Sequence, residues 1–147
     1  MCPNAANTYR IEPVPHIFQD HERRRIVFLA SEGDKRVSAK PAFDTLDENI
    51  EVLLRQRFDA WIDGQDPKNH RYHPFVGTVL YVFKIQEHRF YGFLVHPRKS
   101  DRRYEVCVLV KYAIKHKKET DNTDLKHVED VRLTLNVSRV IDNFFKE

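Results

Sequence analysis

Glycine and cysteine are scarce in this chain, and their scarcity excludes several kinds of site. Four glycines are scattered through 147 residues, so no Gly-rich loop is available to hold the phosphates of a nucleotide. The two cysteines, Cys2 and Cys107, are too few for a disulfide framework or a four-ligand zinc site. Neither a His-x-x-x-His nor a Cys-x-x-Cys pair occurs, and no Ser or Cys lies in a recognisable nucleophile turn. We therefore expect no metal, no cofactor and no serine or cysteine triad, and we expect Cys107 to be a core residue.

Long hydrophobic runs are also missing. No stretch approaches the roughly 20 apolar residues that cross a bilayer, and residues 1–15 lack the apolar centre of a signal peptide. We expect a cytoplasmic protein that does not contact membranes. The length fits one domain with a core of its own, and an apolar fraction of 41% with 32% charged residues is ordinary for a globular chain.

The net charge of +3 is small, but the charge is unevenly distributed along the chain. Residues 44–63 contain six acids against two bases, whereas residues 98–118 contain eight bases against two acids. Such polarisation is expected of a molecule with one side that faces phosphate groups.

The chain is organised around residues 78–118. Three runs rich in Val, Leu, Ile, Phe and Tyr are separated by a short polar gap at residues 86–88 and by a longer basic loop at residues 97–103. Because β-branched and aromatic residues suit a pleated surface, this pattern predicts an antiparallel meander. The last strand runs into the cationic tail at residues 111–118, so the sheet is expected to present lysine and imidazole to an anionic ligand.

The remaining segments predict helices and one more strand. Residues 25–30 read as a first strand, residues 40–63 as a helix with Trp61 on its apolar stripe, and residues 124–133 as a short helix. A final helix, capped by Asn136 or Ser138, is expected to bury Val137, Val140, Ile141, Phe144 and Phe145. Thr45 to Glu48 has the spacing of a capping box, and Gly64 is a natural stop.

These elements predict an α+β domain with a mostly antiparallel sheet and helices packed on one face. Residues 1–22 are interpreted as an irregular arm that packs in part through Ile17 and Phe18. Residues 23–147 are interpreted as a single domain that includes the extended C-terminal helix.

Alternation along the strands predicts which side chains share a face. Arg89 and Tyr91 are expected on one face of their strand, and Cys107 and Lys111 on one face of the last strand, with Tyr112 opposite. Lys84 interrupts an apolar run and is therefore a stronger candidate for a functional role than a surface lysine. Lys, Arg, His and Tyr together can cleave RNA without a metal, because the 2′-hydroxyl attacks its own phosphate and needs only a base, an acid and cations.

Between about Arg25 and Arg132 the chain resembles the RelE/HigB toxins of bacterial toxin–antitoxin modules and related phage-derived proteins. The resemblance rests on the order strand, helical segment, strand, aromatic-rich return strand and a strand with a lysine tail. The matching residues are 80–85 (LYVFKI), 89–93 (RFYGF), 106–110, 115–118 (KHKK) and 120–128 (TDNTDLKHV).

The resemblance implies a microbial RNase-like (RelE-like) fold and metal-independent cleavage of mRNA, in the family often within the ribosome. Its implied partners are mRNA, the ribosome and a cognate antitoxin protein. Carried over, the catalytic surface comprises Lys84, Arg89, Tyr91, Lys111, Lys115, His116 and Lys118. Basic residues of the loops and the tail are expected to contact RNA, namely Lys68, Arg71, His73, Arg98, Lys99, Arg102, Arg103 and Lys117.

The sequence also departs from the family pattern. Gly92 stands where many members have an arginine, and Asp121 replaces the usual proline. Two alternatives therefore stay open: a ParE-like inhibitor of DNA gyrase, and a catalytically inactive, phage-related binding protein, which Gly92 favours.

Overall fold

The computed structural model describes residues 8–14, 23–64, 71–99, 102–115 and 122–146. Within them, six strands form one sheet: β1 (Tyr9–Pro13), β2 (Arg24–Ser31), β3 (Tyr72–Pro74), β4 (Leu80–Ile85), β5 (His88–Val95) and β8 (Glu105–Ile114). A separate two-stranded ribbon consists of β6 (Arg98–Lys99) and β7 (Arg102–Arg103). The helices are α1 (Ala39–Asp44), α2 (Glu48–Ile62), α3 (Asn122–Arg132) and α4 (Leu135–Phe145).

The strand order in the sheet is β1-β2-β8-β5-β4-β3. All neighbours are antiparallel except β2 and β8, which run parallel. The predicted meander is confirmed as β4, β5 and β8, and the α+β class with a mostly antiparallel sheet is confirmed with it. The gap at residues 86–88 is a two-residue turn, because His88 already pairs with Ile85.

Helices cover both faces of the sheet, so the prediction that they pack on one face is wrong. On the first face, α1 and α2 pack Phe43 and Phe58 against Phe28 and Phe83, with ring centroids 5.0 Å and 5.1 Å apart. On the second face, α3 and α4 pack valines such as Val128 against the other side of the same strands. We call these the α1–α2 face and the α3–α4 face. A strand buried on both sides is apolar at nearly every position, which is why β4, β5 and β8 lack a polar side.

Two predicted core residues are confirmed. Trp61 is 2% exposed on the α1–α2 face, and Cys107 is fully buried on the same face. Burial also raises the pKa of the Cys107 thiol. The thiol therefore packs in the core and is unreactive.

Part of the predicted N-terminal arm belongs to the sheet. Tyr9–Pro13 pair with residues 27–31 of β2 and form an edge strand, so this stretch is not irregular. Ile17 and Phe18 lie outside the described residues. The polar stretch before β4 also contributes an edge strand, β3, which its composition did not indicate.

The predicted helix at residues 40–63 is two helices. Thr45 ends α1 by donating its hydroxyl to the carbonyl of Pro41, and Asp47 begins α2 by accepting a hydrogen bond from the amide of Asn49 at 2.8 Å. The cap is therefore Asp47, and the capping-box prediction at Thr45 is wrong. Gly64 follows α2 with a φ of +80°, which confirms the predicted stop.

The final helix α4 buries part of its predicted apolar stripe, but its first and last residues differ from the prediction. Val137 and Ile141 are buried, whereas Phe144 is 44% exposed. Thr134 precedes the first residue of α4, in place of the predicted caps Asn136 and Ser138, and its hydroxyl donates to the carbonyl of Asp130 in α3.

A β-bulge interrupts β8. Tyr91 pairs with Lys111 and Gly92 pairs with Leu109, so Val110 is an extra residue on β8. Ser38, the residue before α1, forms hydrogen bonds with backbone groups on both sides of the bulge. Its amide donates to the carbonyl of Val110 at 2.8 Å, and its hydroxyl accepts from the amide of Tyr112 at 3.0 Å. Because of the extra residue, every later side chain of β8 points to the opposite face from the one that simple alternation predicts.

Gly92 lies where the backbones of β5 and β8 approach closely. A Cβ atom at this position would come within 2.1 Å of the carbonyl oxygen of Val108. No side chain fits there without moving the backbone of β8, so glycine at this position has a structural cause.

We predict that Gly92→Ala lowers the free energy of unfolding by about 3 kcal/mol or more, because backbone atoms cannot yield as a flexible side chain does. Gly77→Ala is the matched control. Gly77 has open space around its Cβ position but a φ of +77°, so its cost should be about 1 kcal/mol. Urea unfolding of both variants measures the difference, and equal costs would contradict the close approach.

Asp34 joins the edge strand to the loop before α1. Its carboxylate accepts a bidentate pair of hydrogen bonds from Arg36 at 2.8 Å and 2.7 Å, and one from the Tyr9 hydroxyl at 2.6 Å. These donors, Arg36 first, lower the pKa of Asp34 to about 2 against the opposing effect of burial.

Because the folded-state pKa lies below the ordinary value, the ionised Asp34 stabilises the fold above about pH 4, and this contribution is lost as the pH falls towards 2. We expect Asp34→Asn to cost about 2 kcal/mol at pH 7 and less than half of that at pH 2.5. Urea unfolding at both pH values tests this, with Glu32→Gln as the exposed control. An equal cost at both pH values would contradict it.

Candidate nucleic-acid interface

The bulge in β8 brings Lys111 to the α3–α4 face. Alternation predicted Lys111 on the side of Cys107 and Tyr112 on the side of Val110, and both placements are wrong, because the extra residue Val110 shifts the alternation by one. Cross-strand partners share a face, so Lys111 lies beside Tyr91. Tyr112 turns to the other face and packs on Phe90 with ring centroids 5.0 Å apart.

Lys84 and Arg89 lie on the same face as Lys111. They are cross-strand partners on β4 and β5, and each is two residues from the Val82–Tyr91 pair in the α3–α4 core. Ordinary strand spacings put the Cα atoms of Lys84 and Lys111 about 12 Å apart, which two lysine side chains can bridge to one ligand. Four of the predicted catalytic cations, Lys115 included, thus meet at one end of the α3–α4 face.

Helix α3 supplies the partners of Lys111 on β8 and of Lys115, which directly follows β8. Lys115 Nζ lies 2.6 Å from Asp124 Oδ2, and Lys111 Nζ lies 3.4 Å from Asp124 Oδ1. Lys111 Nζ also lies 2.6 Å from Nδ1 of His127. All three charged side chains are largely enclosed, with exposures of 16% for Lys111, 15% for Lys115 and 9% for Asp124. One carboxylate therefore opposes two ammonium groups, and the cluster keeps an excess of positive charge.

Lys84 and Arg89 form no ion pair with any part of the chain that the structure describes. Arg89 donates to the backbone carbonyls of Gln86 and His88, which position the guanidinium without neutralising it. Burial, and after it the charge of Arg89, lowers the pKa of Lys84. Two uncompensated cations at a cross-strand position favour an anion as their missing partner.

Tyr91, predicted to be catalytic, is buried in the α3–α4 core with 2% of its surface exposed. Its ring packs near Phe75, with centroids 6.4 Å apart. The structure thus gives this residue a packing position beneath the cations.

The basic loop at residues 97–103 lies at the opposite end of the sheet. It joins the end of β5 to the start of β8, whereas Lys111 lies five residues and Lys115 nine residues after Val106, the first β8 residue that pairs with β5. At about 3.3 Å per residue, Lys111 is about 15 Å and Lys115 about 30 Å from the end of the sheet where the loop lies. The ribbon β6–β7 places the backbone of Arg98, Lys99, Arg102 and Arg103 there, and the Arg103 side chain is exposed.

Two other predicted contacts lie on the side of the lysine cluster. The Arg71 carbonyl accepts from the amide of Lys84 at 2.8 Å, and the Arg71 side chain is exposed. His73 pairs with Val82 on β4 and is half-buried against Phe75. The predicted residues Lys68, His116, Lys117 and Lys118 lie outside the described residues.

An open groove of about 560 Å3 lies at the far end of the α3–α4 face. Phe93, Val95, Ile141 and Phe145 line it with apolar surface, and polar groups at its edge include Arg132. The groove is next to the loop at residue 97 and does not include any of the clustered lysines.

Sequence reasoning missed Asp124 and His127. Both lie on α3 three residues apart, which puts them on one side of a helix, and this spacing was the available signal. Their distance along the chain from Lys111 hid the pairing. It also missed the contact of His88 Nδ1 with the Tyr112 hydroxyl at 2.6 Å. Burial and the charge of Glu87 raise the pKa of Tyr112, but this pair lies on the α1–α2 face, away from the lysines.

Within the described ranges, no three His, Cys, Asp or Glu side chains are grouped closely enough to hold a metal ion. Among the same residues, no helix has the length and apolarity needed to cross a bilayer. Comparisons with protein-family models, with curated proteins and with solved structures find no match.

We predict that Asp124→Ala lowers the free energy of unfolding by about 3 kcal/mol, because it leaves two enclosed ammonium groups without their carboxylate. The control is Asp130→Ala on the same helix. Its partner Lys126 is 75% exposed, so this loss should stay below about 1 kcal/mol. Urea unfolding measures both, and a near-neutral Asp124 variant would reject the buried pairing.

Proposed function

We propose that the chain binds RNA at the lysine end of the α3–α4 face and cleaves it without a metal, as a toxin of the RelE/HigB type. The observation that carries this proposal is the meeting of Lys84, Arg89, Lys111 and Lys115 at one end of one sheet face. Cations grouped in this way oppose the closely spaced phosphates of a nucleic acid.

The chemistry of RNA self-cleavage suits these groups. The 2′-hydroxyl must lose a proton, and the lowered pKa of Lys84 gives its side chain a larger fraction of the neutral amine that can accept it. Arg89, Lys111 and Lys115 would then oppose the charge that builds up on the phosphate as the new bond forms. None of these roles requires a metal ion.

The order of elements supports the resemblance. A strand, two helices, a strand, an aromatic return strand and a strand ending in lysines follow one another as β2, α1, α2, β4, β5 and β8. Gly92 departs from the family pattern for the steric reason given above, and Arg89, three positions earlier on β5, would take the role of the family arginine. A ribosomal setting and an antitoxin partner belong to the same proposal.

A second candidate is RNA binding without cleavage. The observation that favours it is the placement of Tyr91 in the core together with the pairing of Asp124 with two of the lysines. Both features reduce the number of groups free to act on a bound phosphate. The two candidates predict the same binding and differ only in turnover.

We predict that the affinity for a fluorescein-labelled RNA 12-mer falls steeply with salt. The double variant Lys84→Gln/Arg89→Gln should bind more weakly and show a salt slope smaller by about 1.4, which is about 0.7 for each lost phosphate contact. Because neither cation has an ion-pair partner in the described part of the chain, stability should hardly change. Arg139→Gln, on an exposed position of α4, is the control and should bind as the parent does. An unchanged slope in the double variant would contradict this interface.

Cleavage is tested in EDTA with an RNA oligomer and with the same oligomer carrying 2′-deoxyribose at the cleaved position. The parent should cut only the first, since the attacking group is the 2′-hydroxyl. Binding with no cutting of either would favour the second candidate. Inhibition of DNA supercoiling without RNA binding would favour the gyrase alternative.

A further inference from the structure

His127 is held in a defined orientation on the lysine side of α3. Its Nδ1 atom lies 2.6 Å from Lys111 Nζ, and Asp124, one turn earlier on the helix, holds the same lysine at 3.4 Å. Lys115 holds the second oxygen of Asp124. The imidazole is thus the last member of a chain of contacts that begins at a largely enclosed carboxylate.

This contact decides which nitrogen of the ring carries the proton. An ammonium group has only donors, so Nδ1 must accept, and the proton of the neutral imidazole is on Nε2. Among the described residues, none hydrogen-bonds to Nε2. The ring is half-buried, and it therefore presents an N–H group beside two lysines, at the end of the face where the phosphate is proposed to bind.

We propose that His127 is a catalytic residue of the cleavage reaction, which protonates the leaving 5′-oxygen and is reprotonated by Lys111. This inference rests on the proposed function and adds the acid that it lacks. The O2′–P bond forms and the P–O5′ bond breaks, while the 2′ proton passes to the neutral amine of Lys84. Nε2 of His127 gives its proton to O5′, and Nδ1 takes one from the ammonium group of Lys111. Lys84 ends as an ammonium and Lys111 as an amine, and exchange with water restores both.

A sulfur atom in place of the bridging 5′-oxygen tests the proton donor, because a thiolate leaves without being protonated. The parent, His127→Ala, His127→Gln and Arg139→Gln are compared in EDTA on an RNA with the natural bond and on the same RNA with the 5′-phosphorothiolate bond. Both His127 variants should cut the natural RNA at least about 100-fold more slowly than the parent does, yet cut the sulfur RNA within about threefold of the parent. Arg139→Gln should match the parent on both.

The quantity compared is the ratio of the two rates for each variant, which does not depend on the fraction of protein that is folded. An unchanged ratio in both His127 variants would overturn the assignment, since a structural role slows both substrates alike. A normal rate for His127→Gln on natural RNA would also overturn it, because glutamine can donate a hydrogen bond but not a proton. A parent that cuts neither RNA would instead refute the proposed function itself.

Discussion

The β-bulge at Val110 determines which chemistry the sheet presents on each face. Without the extra residue, Lys111 would point among the aromatic rings of the α1–α2 face. With it, Lys111 reaches Asp124 and His127, and Tyr112 fills the aromatic layer in its place. Ser38 makes this irregularity tolerable by using its backbone amide and its hydroxyl on the two sides of the bulge. A serine in the loop before α1 thus supports the position of a lysine that lies 73 residues further along the chain.

The parts of the fold that follow local rules could be predicted from the sequence. The strands β4, β5 and β8, the α2 stripe and the stop at Gly64 depend on side-chain periodicity and on backbone conformation near each residue. The failures depend on distant partners. Nothing near Val110 marks a bulge, because the reason for it lies at Ser38. The spacing of Asp124 and His127 puts them on one side of a helix but does not identify Lys111 as their partner.

The same limit applied to the candidate site. The family resemblance grouped Lys84, Arg89, Lys111 and Lys115, and these residues lie on β4, β5 and β8 or, for Lys115, directly after β8. The charge distribution also joined the loop at residues 97–103 to that group, although the antiparallel direction of β5 and β8 puts the loop at the other end of the sheet. Tyr91 was singled out for its chemistry, but its side chain is buried in the core of the α3–α4 face. The error was to assume that residues close together in the sequence are also close together in the structure.

Asp124 has two opposed effects on the lysine cluster. It compensates enclosed positive charge and so stabilises the packing of α3 on the sheet, while it also competes with any anion for the same ammonium groups. An anionic ligand must share these lysines with it or displace it. Under the proposed function, the affinity of this face for an anion therefore depends in part on how easily the start of α3 can adjust.

Strand β2 pairs in parallel with β8, and the partners Arg24 and Glu105 are 81 residues apart in the sequence. The late strand enters the middle of the sheet, with β2 on one side and β5 on the other. A nascent chain that has not yet produced β8 thus holds two open strand edges, each with unpaired backbone groups. The two halves of the sheet stay separate until synthesis passes residue 114, so the lysine face does not exist before β8 has been made.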